Sequence, residues 1–189
     1  VASTKAYTTQ LICMYLIGLY MGSTKGTIEK DYYDKVLGEL KLLPDKVEAL
    51  LGQEDAIAAL AKKYYSKEQV FFIGRGLDSG VSYEGSLKLK EISYINSFAI
   101  AAGELKHGTI ALMEADTLVF ALATQDFLYE KMVSNVEEIK ARGARVIGVA
   151  KEGRKEIESV ADEVIYVPYC IDEVSPVLAV IPLQIFAYY

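Results

Sequence analysis

Cysteine, histidine and long apolar runs are all scarce in this chain of 189 residues, and each scarcity closes off a class of protein. The two cysteines, Cys13 and Cys170, sit in apolar stretches without a CxxC spacing, so neither a disulfide framework nor a zinc site is suggested. A reducing, cytoplasmic setting fits them. The longest apolar run, LICMYLIGLYM (11–21), falls short of the roughly 20 residues that a spanning helix needs and has no basic leader. It is expected to be a buried helix of a protein outside the membrane. Twenty basic side chains face 26 acidic ones, the net charge is −6, and no basic stripe could neutralise a nucleic-acid backbone. Neither an internal repeat nor a low-complexity tract occurs. What the chain has is an apolar content of 52%, enough for one substantial core.

The order of patterns along the chain predicts its layers. Ser3 and Thr4 are good N-cap types for a helix running to Met21, which Gly22 and Gly26 are expected to end. Residues 27–51 carry apolar side chains at helical spacing (Ile28, Tyr32, Val36, Leu40) and predict two short connecting helices separated at Pro44. From Gln53 onward helices alternate with short β-branched runs, and strands are expected at 70–73, 98–100, 118–122, 146–149 and 164–167. Helical segments are expected at 81–95, 103–112, 127–142, 154–160 and 175–189, the last with Pro176 in its first turn. This alternation predicts an α/β protein with a five-stranded, mostly parallel, doubly wound sheet covered on both faces. In such sheets ligands sit at the carboxyl ends of the strands.

Three features carry possible chemistry. The first strand runs into GRGLDSG (74–80), the strand, glycine loop and helix order that brings backbone N–H groups to an anion. It is neither a GxGxxG nor a Walker loop, and a tight turn alone would also demand these glycines. Glu84, Lys88 and Glu91, spaced by four and three, share one helix face. Taken alone they read more readily as a surface ion-pair row worth a few tenths of a kcal/mol than as a Lys and a Glu presented to a substrate. His107, the one histidine, lies between Gly103 and Gly108, where an imidazole exposed to a ligand suits proton transfer.

Taken together these stretches resemble a known family. VASTKAYTTQL (1–11), FIGRG (72–76), EGSLKLKEISYI (84–95), AGELKHG (102–108), ARGARV (141–146) and VIPLQIFAYY (180–189) are similar to the isomerase part of the glutamine:fructose-6-phosphate amidotransferases, or glucosamine-6-phosphate synthases. The resemblance covers the whole chain, and KLKEISYI followed by GELKHG is its most specific part. It implies two sugar isomerase (SIS) lobes in tandem, with residues 1–24 the last helix of the first lobe, 25–52 connecting helices and 53–189 the second lobe.

By the same resemblance Glu91 is the base that moves a proton between C1 and C2 of the sugar. Lys88 stabilises or protonates the developing oxygen, and His107 assists ring opening in the neighbouring subunit of a homodimer. Val1 and Ser3 hold the sugar phosphate. Gly74 and Gly76 match a family loop with no tie to the catalytic sugar. No metal, flavin or nicotinamide is implied.

Val1 is not an initiator methionine and both ends fall inside helices, so the sequence is expected to be a segment of a longer chain. The phosphate-binding loops of the first lobe, a glutaminase domain and a C-terminal tail with an imine-forming lysine would lie outside it, and the segment alone is expected to be inactive. A non-catalytic sugar-phosphate sensor, or a related deglycase or isomerase without a glutaminase, remain open as alternatives.

Overall fold

In a computed structural model that describes residues 3–189, three helices precede the sheet: α1 (Thr4–Lys25), α2 (Lys30–Leu51) and α3 (Glu54–Tyr64). Strand β1 (Gln69–Gly74) leads to α4 (Leu77–Ser93) and then to β2 (Asn96–Ala101). Two short 3-10 segments, Ala102–His107 and Thr109–Leu112, cross to β3 (Leu118–Ala123). The chain continues through α5 (Tyr129–Lys140), β4 (Arg145–Lys151), β5 (Glu163–Val167) and α6 (Ser175–Tyr188). All five expected strands are present, and every neighbouring pair is parallel in the order β2-β1-β3-β4-β5.

The strands are apolar because both faces of the sheet are covered. β3 (LVFALA) is buried at every position. On one face Phe72, Phe120 and Val149 pack with residues of α3, α4 and α6, and on the other Phe71, Val119 and Val146 pack with α5 and the crossover that carries Leu105 and Met113. Phe120 stacks on Phe72 at 5.0 Å between ring centroids and meets the edge of Phe186 at 4.8 Å. The order of strands reverses between β1 and β3, which places a crevice at their carboxyl ends. Gly74 is required there: a Cβ on it would lie 2.5 Å from the backbone carbonyl of Asp78, so any side chain would push α4 away from the sheet.

Three expectations about the leading helices need correction. α1 does not stop at Gly22 but continues to Lys25, because Ser23 and Thr24 tolerate a helix and only Gly26, at φ 63°, takes the left-handed cap. Pro44 does not divide the next segment. It removes one hydrogen bond from α2, yet the apolar face formed by Val36, Leu43 and Leu50 is buried from end to end, and that packing holds the helix together. Finally, α1 is apolar all round, but in this chain only Leu19 is buried, and Met14, Leu16, Ile17, Tyr20 and Met21 are exposed. α2 and α6 cover one side of the helix and leave the other bare.

Candidate functional site

α4 lies closely against its neighbours because its small residues face inward. A Cβ on Gly85 would come within 2.6 Å of Leu183 on α6 and 3.0 Å of the Phe72 ring. Ser86 and Ser97 pin the helix to the edge strand, their hydroxyls 2.9 Å apart, with Ser97 Oγ donating to the Ser86 carbonyl in one arrangement at 2.8 Å. This seating carries Lys88 into the protein. Its side chain is 1% exposed and places Nζ 2.6 Å from Glu91 Oε2 and 3.4 Å from Glu84 Oε1. Glu84 is 11% exposed and Glu91 39%, so one carboxylate is sheltered and the other is open to a ligand.

The charges follow from that geometry. Burial pulls the Lys88 ammonium towards neutrality, but its hydrogen bond to Glu91 and the two neighbouring carboxylates outweigh burial, and its pKa is raised. Burial raises the pKa of Glu84 against the opposing pull of Lys88. The pKa of the Tyr7 hydroxyl on α1 is raised by burial and, to a smaller extent, by the charge of Glu84.

The other expected residues lie as follows. Ser3 occupies the N-cap position of α1 at φ 54°, exposed, with its carbonyl accepting from the Tyr7 N–H at 3.0 Å. Its hydroxyl makes no capping bond, contrary to the role expected for it at the helix start, and is available for other partners. Val1 lies outside the described residues. His107 is exposed at the end of the first 3-10 segment, which packs through Ala102 and Leu105 on the sheet face opposite the one that α4 covers. The structure therefore joins Lys88, Glu91 and Glu84, and separates His107 from them by the sheet.

A second polar cluster, not anticipated as such, fills the crevice at the strand ends. Asp78, fully buried, accepts from the Thr124 N–H at 2.7 Å and the Thr124 hydroxyl at 2.5 Å. Beside it the buried Lys151 ammonium lies 2.5 Å from Asp172 and 2.9 Å from Asp126, and Arg154 closes on Asp126 at 2.7 Å. Gln125 donates to Ser175 Oγ at 2.6 Å. These bonds tie the loops after β1, β3 and β4 to the start of α6. Lys151 and Arg154 are each matched to a carboxylate, so these two cations act as a structural tie between the strand-end loops. The sequence signal was a polar residue just after each strand end, but nothing in the sequence indicates that those residues satisfy one another.

Burial pushes Asp78 from an ordinary 3.8 to about 6, against the hydrogen bonds from Thr124. A carboxyl group whose folded pKa is raised contributes stability below its unfolded pKa and loses it as pH rises through the folded value. Wild type should therefore lose roughly 2 kcal/mol relative to Asp78→Asn between pH 4 and pH 7. Urea unfolding of both chains across this range measures the difference, and parallel pH profiles would remove the assignment.

Residues 63–189 match the family model of the SIS domain. The chain belongs to the SIS-domain family. This SIS chain is 57% identical over its full length to a glutamine–fructose-6-phosphate aminotransferase [isomerizing] of Caldanaerobacter subterraneus subsp. tengcongensis, and 51% identical to one of Clostridium acetobutylicum. It spans about 31% of the length of each. Its fold superposes with a TM-score of 0.93 on the C-terminal domain of glucosamine-fructose-6-phosphate aminotransferase from Francisella tularensis. There the identity is 36%, over 99% of this chain and 53% of that one. The sugar isomerase domain of an RpiR transcription factor from Sphaerobacter thermophilus shares the SIS fold alone, at 15% identity and a TM-score of 0.68. Among the described residues no helix of this SIS chain is long and apolar enough to cross a membrane.

Proposed function

We propose that this chain is the second SIS lobe of the isomerase part of a glucosamine-6-phosphate synthase, acting on fructose 6-phosphate and nitrogen freed from glutamine. The observation that carries the reading is the buried Lys88 ammonium held 2.6 Å from the open carboxylate of Glu91, in a chain so similar to the isomerising aminotransferases. Glu91 takes the proton from C1 of the sugar imine and returns it to C2, which converts the ketose skeleton to the aldose. Lys88, kept charged by its two carboxylates, stabilises the negative charge that develops on the enolamine oxygen. Ser3 and Val1 hold the sugar phosphate at the start of α1.

The partners of this reading are the first SIS lobe, a glutaminase domain and a second subunit. The bare apolar side of α1 suits a preceding lobe, since a helix that is apolar all round is normally covered on every side. His107 opens the sugar ring from the neighbouring subunit, a role that agrees with its place across the sheet from Glu91.

Subunit exchange tests the shared site. Full-length Glu91→Gln and His107→Asn chains, each inactive alone, should regain a fraction of wild-type activity when mixed, because a mixed dimer has one site with both residues intact. Recovery of no activity from any mixture would overturn the shared arrangement.

A further inference from the structure

Lys88 is held by two carboxylates, but only one of them is open enough to meet a substrate. Glu84 is 11% exposed, lies one turn before Lys88 and reaches Nζ at 3.4 Å. Glu91 is 39% exposed and reaches it at 2.6 Å. A base that must accept a proton cannot also be the sole counter-charge of a buried ammonium, since each proton it takes would leave Lys88 uncompensated. We infer that Glu84 is a positioning residue that keeps Lys88 charged and in place while Glu91 moves the substrate proton. This inference rests on the roles proposed above for Lys88 and Glu91.

The surroundings agree with the assignment. On α4 the titratable groups facing Lys88 are Glu84 and Glu91, and α1 adds the Tyr7 hydroxyl beside Glu84. β2 (NSFAIA), against which this part of α4 is pinned, has no titratable side chain. The titratable groups of α6 are confined to its end, at Tyr188, with Tyr189 just beyond it bonded to Glu54. Glu84, at 11% exposed, is therefore the sheltered anion of the cluster. Once Glu91 has accepted a proton, Glu84 still carries the charge that Lys88 needs.

The test uses the full-length protein, with isomerisation measured against pH for wild type, Glu84→Gln, Glu84→Asp and Lys88→Met. Glu84→Gln should lower kcat with little change in KM for fructose 6-phosphate. It should also move the alkaline limb of the pH profile down by about one unit or more, because Lys88 then keeps a single carboxylate. Glu84→Asp, which retains the charge, should restore the limb towards its wild-type place, and it serves as the readout if Glu84→Gln does not fold. A wild-type profile for Glu84→Gln beside an inactive Lys88→Met overturns the role of Glu84. Full activity in Lys88→Met overturns instead the reading of the site on which it rests.

Discussion

Glu91→Gln in the full-length protein is expected to lower sugar isomerisation by roughly 10²- to 10⁴-fold, the usual contribution of a positioned acid or base. Hydrolysis of glutamine should remain measurable, because in the proposed arrangement it occurs in a separate domain. The substitution is chosen to spare the structure. A glutamine side chain has the same shape, its carbonyl oxygen can still accept from Lys88 Nζ, and Glu91 is 39% exposed and outside the core. A purely structural ion pair at this place would show its loss in the stability of the fold and leave turnover of the folded protein nearly intact. Product formation and glutamine hydrolysis measured on the same preparation separate the cases. Normal formation of glucosamine 6-phosphate would remove Glu91 from the mechanism.

Phe120→Ala should cost the fold roughly 3–5 kcal/mol. Phe120 stands in the middle of the central strand, fully buried, between the rings of Phe72 on β1 and Phe186 on α6. Its removal leaves a void bounded by two strands whose register is fixed by the ladder and by a helix packed across them, so little can move in to fill it. In a chain of this size the loss corresponds to a fall in Tm of roughly 6–20 °C. Thermal unfolding reads it directly, and a fall of only a degree or two would mean that this face of the sheet repacks freely.

Much of this architecture was legible because the signals are local. A run such as LVFALA, bounded by polar residues and short for a helix, favours a strand buried on both faces. Five such runs alternating with helical periods leave few topologies open. The same holds for the site: spacings of four and three put Glu84, Lys88 and Glu91 on one face of α4 by the helical period alone. Pro44 was misleading for the opposite reason. Its local penalty is real, but the packing of Val36, Leu43 and Leu50 on the body of the protein exceeds it.

Periodicity and motif thus determined the elements, their order and the helix face that bears the cluster. Tertiary structure alone decided that Lys88 is buried while Glu91 stays open, that Asp78 and Lys151 close the strand-end crevice, and that His107 stands across the sheet from Glu91. The physical reason is that the sign and spacing of charges are written along the chain, whereas desolvation depends on which distant residues pack over them. Gly85, Leu183 and Phe72 are far apart in sequence, and it is their close approach that seats α4 deeply enough to bury an ammonium.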